Sequence, residues 1–312
     1  MSRSFANNSP QVGPEIIFQI LASEIALISG NVSSAVITYL DVASKTGDVG
    51  AAKRATELAL AIRDHKSALK AAEIWQKNDS EDKSASEAVK ALYLITGKNN
   101  KLIDKLIVER ENARKKNTLE NFYNEINVLV SKSNNVASAL DIFEKVSRKD
   151  SSRPEVMYSR AMLYYRNGDK GKMENILRSL VKKKPDHVQA LNALGYSMAN
   201  ANKNLSEAFD LIKAALTFAP QDPHIIDSMG WVYFRLGQLE MAEEWLEKAF
   251  SRQPDAEISA HYGEVLWNLS RKEDAIKIWR IGFNKEPNNA ILLETVDRLK
   301  VHIDELKGNV QD

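Results

Sequence analysis

Five histidines, no cysteine and a scatter of carboxylates limit the chemistry open to this 312-residue chain. His65, His187, His224, His261 and His302 stand far apart. No two lie four residues apart, and none opens a His-Glu-x2-His run, so no helix offers a ready pair of metal ligands. His224 and His261 could share a surface; otherwise their ordinary roles are as solvated or helix-capping residues. The lack of cysteine removes disulfides, thiol catalysis, cysteine-ligated zinc and a lipid-modified cysteine from the chain as given. No glycine-rich phosphate loop, nucleophile elbow or paired-carboxylate cleft is visible. Glu243-Glu244 and Lys182-Lys183-Lys184 read as solvated helix faces, the lysines in a last turn where cations offset the helix dipole. The sequence predicts no active site, no metal and no cofactor.

The elements that carry these residues come next. Hydrophobic residues make up 44% of the chain and charged ones 27%, enough for a large core. Thirteen glycines and eight prolines are few for this length, which disfavours a turn-rich β fold. Forty-three basic against 42 acidic residues leave a net charge of +1, which gives no electrostatic reason to expect nucleic acid. No apolar run approaches the roughly 18 residues that a membrane span requires. Ile16 to Ile28 is apolar but broken by Gln19 and Glu24 and preceded by Glu15. It also lacks a basic leader and a cleavage site, so it reads as an amphipathic helix.

A period then appears. Ala35, Ala68, Leu102, Ala139, Met173, Ala208, Ala242 and Ala275 are spaced 33, 34, 37, 34, 35, 34 and 33 residues apart. Pro185, Pro220, Pro254 and Pro287 follow at 35, 34 and 33. Each interval fits one helix-turn-helix unit, the small residue opening the second helix and the proline closing it. The reading is eight helix pairs behind a loose tail over residues 1–14: three degenerate pairs over 15–116, a fourth over 117–153, four clear pairs over 154–289, and a capping helix over 290–307. The 37-residue interval falls across Arg114-Lys115-Lys116-Asn117, which marks a seam or hinge. Repeat four carries Asn127 where a glycine is expected. A lone helix pair has too little core to offset its ordering entropy, about 1–2 kcal/mol per residue for the backbone. Stacked pairs bury one another's apolar stripes instead.

The clearest unit is Ile226-x2-Met229-Gly230-x2-Tyr233, then Ala242-x3-Leu246, then Pro254. It resembles the tetratricopeptide repeat, whose pattern runs W-x2-L-G-x2-Y, A-x3-F, P. That resemblance implies an all-α solenoid of about eight helix pairs in a right-handed superhelix, with the first helix of each pair lining a concave groove. Positions two, five, nine and twelve of those helices would face the groove. They supply Tyr158, Met162 and Tyr165 beside Arg166; Gln189, Asn192 and Tyr196; His224, Asp227, Trp231 and Phe234 beside Arg235; and Glu257, Glu264 and Trp267. Trp231 is the residue most expected to face the groove, because Gly230 and Val232 fix the helix phase around it. Tyr164, Tyr233, Trp245 and Trp279 are expected in the core. Tyrosine, tryptophan and arginine are the residues that anchor interfaces. An aromatic-lined groove suits an extended or helical segment of a partner.

Some repeats of this family clamp a C-terminal carboxylate with Lys and Asn at positions five and nine. Here those pairs are Tyr158/Met162, Asn192/Tyr196, Asp227/Trp231 and Ala260/Glu264, so no clamp is present. The segments Ala190–Asn200, Asp227–Gly237, Ala260–Trp267 and Ala275–Trp279 also resemble the C-terminal repeats of proteobacterial envelope tetratricopeptide lipoproteins. Members of that group include adaptors of a periplasmic C-terminal processing protease. The resemblance implies a non-catalytic scaffold that joins a protease to its substrates. The alternative is a cytoplasmic scaffold for an unrelated complex. An upstream start with a leader would place the chain in the envelope.

Overall fold

Helix pairs follow one another through the described residues. The computed structural model describes residues 13–307, so nearly all of the expected tail lies outside the described residues. The pairs are α1 (Pro14–Ile28) with α2 (Val32–Thr46), α3 (Val49–Ala61) with α4 (His65–Asn78), α5 (Lys83–Ile95) with α6 (Asn99–Lys115), and α7 (Leu119–Ser131) with α8 (Val136–Ser147). They continue as α9 (Pro154–Arg166) with α10 (Lys170–Lys183), α11 (Val188–Asn200) with α12 (Leu205–Phe218), α13 (Pro223–Arg235) with α14 (Leu239–Arg252), and α15 (Ala256–Asn268) with α16 (Lys272–Lys285). A final helix, α17 (Ala290–Arg298), follows. No strand occurs among the described residues, and the fold is all-α.

Local chemistry explains where the helices start and stop. Asp48, Asp64, Asp82, Asp169, Asp222 and Asp255 each cap a helix by accepting a backbone N–H of its first turn. Gly237 ends α13 at φ +77°, a left-handed turn that glycine adopts without a side-chain clash.

The chain divides into two compact units, Met1–Ser151 and Ser152–Asp312. In the second, Ala208, Ala242, Ala275, Ile212, Leu246 and Trp279 are all fully buried. Close helix crossing makes this possible. A β-carbon on Gly230 would stand 2.5 Å from Leu246 Cγ, and one on Gly263 2.2 Å from Trp279 Nε1. Only a residue without a side chain fits there. Trp279 in turn donates Nε1–H to the Ala260 carbonyl at 3.2 Å. Tyr164, Tyr233 and Trp245 are half-buried against this core.

The residue at that crossing position varies from pair to pair: Ser23, Thr56, Lys90, Ile126, Ala161, Gly195, Gly230 and Gly263. Where it is small the two helices pack closely; at Lys90 and Ile126 the pairs α5–α6 and α7–α8 pack loosely. Lys90 meets Glu109 at 3.1 Å. A cleft of about 320 Å³ opens beside it, lined by Leu106, Phe122 and Ile126.

Three expectations need correcting. The α7–α8 turn is one residue longer than the α13–α14 turn, so Ile126 rather than Asn127 occupies the glycine position. The three extra residues near 114–117 lengthen α6 to 17 residues, and the division between units falls at Ser151–Ser152. The last helix stops at Arg298 instead of running to 307. Lys300 turns left-handed at φ 60°, and Val301 N–H closes on the Val296 carbonyl at 2.9 Å. That is a helix-terminating Schellman turn, with Val301 and then Leu306 returning to the core.

Candidate functional site

The first helices of the second unit, α9, α11, α13 and α15, carry the residues expected in the groove. Pro154 and Pro223 sit at the first positions of α9 and α13, where a missing N–H costs nothing. His187 caps α11 by accepting the Ala190 N–H through Nδ1 at 3.3 Å, one of the ordinary roles named for a histidine.

Tyr165 is 41% exposed and Arg166 is exposed. Tyr158, Asn192, Tyr196, Phe234, Arg235 and Trp267 are half-buried. Tyr158 lies 5.4 Å from the His187 ring. Trp267 sits 5.6 Å from Trp279, with the Lys272 ammonium 4.9 Å from its ring. Asn192 Oδ1 and Arg235 Nε are buried without a hydrogen-bond partner.

Asp227, Trp231 and Glu264 are placed differently, at 4%, 4% and 2% exposure. Trp231 is the residue that the sequence most strongly assigns to a partner. Instead it stacks on the His261 ring at 4.1 Å, lies 5.0 Å from Phe234, and is overlain by the Arg235 guanidinium at 5.7 Å. Its Nε1–H finds no acceptor. The helix phase is sound, but the next first helix comes close enough to cover that face. Glu264 is held by Arg298 of α17 at 2.6 Å.

At the centre is a chain of polar groups that sequence reasoning did not assemble. His261 Nδ1 meets both Asp227 carboxylate oxygens at 2.9 and 3.0 Å, and its Nε2 lies 3.3 Å from the Tyr196 hydroxyl. The Glu257 carboxylate stands beside the Tyr196 hydroxyl. Burial opposes a charged imidazole at His261, but the Asp227 carboxylate outweighs it and holds the pKa above its ordinary value. Burial pushes the Tyr196 phenol well up, aided by the Glu257 and Asp227 charges. Burial likewise raises Glu257, against the pull of His261 and the Tyr196 hydrogen bond.

One sequence signal was available for this chain of groups. Asp227 and His261 are 34 residues apart, one repeat period, which brings adjacent first helices face to face. His224, by contrast, stays exposed 3.8 Å from Asp255, so it does not share a surface with His261. Among the described residues, no group of three His, Cys, Asp or Glu could hold a metal ion. No helix among them is long and apolar enough to cross a membrane.

Known proteins can now be set beside this geometry. Tetratricopeptide repeat models match residues 174–223 and 224–255. The TPR repeat-containing protein PA4667 of Pseudomonas aeruginosa is 44% identical over 109 residues, covering 35% of this chain and 18% of that protein. The TPR repeat-containing protein MJ1428 of Methanocaldococcus jannaschii is 26% identical over 142 residues, covering 45% and 24%. The matched stretches thus span a quarter or less of these relatives. A thermophilic TPR protein of Thermus thermophilus, TTC0263, aligns at TM-score 0.49 and 20% identity, over 57% of this chain and 97% of that one. Residues 174–255 of the chain are tetratricopeptide repeats, and helix pairs of the same length precede and follow them.

Proposed function

We propose that the chain is a non-catalytic scaffold that binds a partner polypeptide on the first-helix face of residues 154–267. The observation that carries this reading is the run of aromatic and polar residues standing open or half-open along α9, α11, α13 and α15. Tyr165 and Arg166 stand in solvent, Phe234 and Trp267 are half-open, and Asn192 Oδ1 and Arg235 Nε lack partners. A buried polar atom without a partner costs about 1–3 kcal/mol, so a bound backbone that supplied one would recover that cost. Aromatic rings and arginine flanking such atoms are what binding hot spots are made of.

The likeness of residues 188–282 to envelope repeat lipoproteins makes a C-terminal processing protease one candidate partner, with the scaffold joining it to substrates. A photo-crosslinking amino acid at positions 165, 234 and 267, compared with 241 and 281 on second helices, tests the face in cells. Crosslinks confined to the first three support the reading, as does loss of the crosslink from 165 in Phe234→Ala/Trp267→Ala. Crosslinks confined to 241 and 281 overturn it. Co-capture of a C-terminal processing protease decides the narrower version.

A further inference from the structure

A recess of about 190 Å³ opens between α9, α10, α11, α15 and α17 of the second unit. It is smaller than the roughly 300–1,000 Å³ that drug-sized ligands occupy. At ~30 Å³ per water it holds the equivalent of about six waters, room for one side chain. Its apolar walls are Met162, Met173, Ala193 and Ile291, and Glu257, Tyr165 and Tyr196 are among its polar groups, with Ser197 and Asn200. We propose that this recess receives one basic side chain, lysine or arginine, of the bound polypeptide; the proposal rests on the partner-binding reading above.

Charge selects the occupant. Two carboxylates, Asp227 and Glu257, face a single imidazole, His261, so a negative charge is left over even when the imidazole is protonated. Glu257 has no salt bridge to a lysine or arginine among the described residues, whereas Glu264, two turns on, is already matched by Arg298. Burial destabilises the unpaired Glu257 carboxylate, and a cation beside it would relieve that penalty. Glu294 of α17 adds to the negative field at Tyr165. Lys170 also lines the recess but carries an exposed side chain at the start of α10. An anion drawn to it would have to face Glu257 and Glu294. The methionine walls suit the methylene stem of lysine or arginine, which packs on apolar surface while its head stays polar. The Tyr196 hydroxyl, held by His261, which Asp227 anchors in turn, fixes the floor against which that head would rest.

Methyl-13C-methionine NMR tests this directly, because Met162 and Met173 are two of only seven methionines. The probes are the N-acetyl methylamides of lysine, norleucine and glutamic acid. The lysine probe should shift the Met162 and Met173 methyls saturably, and the norleucine probe should bind about tenfold or more weakly, the size expected for losing a hydrogen-bonded charge. Glu257→Gln should weaken the lysine probe to the same degree and leave the other methionine methyls in place, which shows the variant folded. The proposal is overturned if Glu257→Gln binds the lysine probe as well as wild type, if the glutamate probe binds in its place, or if no probe moves those methyls. Crosslinks that persist from 165, 234 and 267 in that last case would sink the recess alone and leave the partner-binding face standing.

Discussion

The two units are built from the same helix pair and differ in what stands where the helices cross. The second unit has Ala161, Gly195, Gly230 and Gly263 there, and its pairs close tightly. The first has Ser23 and Thr56, then Lys90 and Ile126, and its last two pairs stay apart. Each unit also buries one polar network. In the first, Asp150 accepts from Arg114 at 2.7 Å and from the Tyr123 hydroxyl at 2.6 Å, while the Arg110 guanidinium donates to the Val146 carbonyl. In the second, Asp227, His261, Tyr196 and Glu257 form the chain at the first-helix face. A carboxylate–guanidinium pair fills the first network, and a histidine whose pKa the Asp227 carboxylate holds above its ordinary value fills the second. The lesson is that one repeat can be specialised by a single position for closeness and by a single residue type for pH response.

The largest expected effect comes from removing the acid of either network. Asp150→Ala and Asp227→Ala should each cost about 3 kcal/mol or more, because a buried partner loses its counter-charge. Urea denaturation followed by tryptophan fluorescence separates the two. Trp231, Trp245, Trp267 and Trp279 lie in the second unit and Trp75 alone in the first. Equal loss of the same transition in both variants would mean that the units do not melt separately.

Next is the crossing glycine. Gly263→Ala should destabilise the second unit by about 1–3 kcal/mol, since the added carbon meets the fully buried Trp279 ring. An unchanged urea midpoint would show that the crossing has slack. Hydrogen exchange should then sharpen the contrast between units. Amides of α5 to α8 should exchange faster than those of α11 to α16, because loosely packed pairs open locally at lower cost. The reverse order would break the link between crossing residue and closeness.

The pH responses should be opposite in sense. Burial opposes the Asp150 carboxylate, but the Tyr123 and Arg114 hydrogen bonds prevail and hold its pKa below the ordinary value. Its stabilisation is therefore present above the unfolded pKa of about 3.9 and is lost as pH falls through the lower folded value. His261 is raised, so its contribution is complete below about 6.5 and is lost as pH rises through the higher folded value. Unfolding midpoints measured from pH 3 to pH 9, flattened at the upper end by Asp227→Asn, check both signs. The smallest effect belongs to the surface. Glu207→Gln removes the exposed Arg178–Glu207 pair and should cost about 0–1 kcal/mol, less at high salt.

The repeat plan was legible because it rests on local physics: small residues every 33–37 positions and helix-closing prolines at the same period. That period gives the helix pairs, and the resemblance to the tetratricopeptide repeat implies the candidate first-helix face. Three things needed the tertiary structure. Whether Trp231 faced solvent depended on how near α15 came, which lays the His261 ring on it. The Asp227–His261–Tyr196–Glu257 chain joins residues from three helices, and no motif within one helix announces it. The end of α17 was decided by Val301 returning to the core, although the sequence carries apolar periodicity beyond it. Periodicity reports which face of a helix is apolar; only the packed neighbours decide what covers that face, because burial is a property of two surfaces and a sequence presents one at a time.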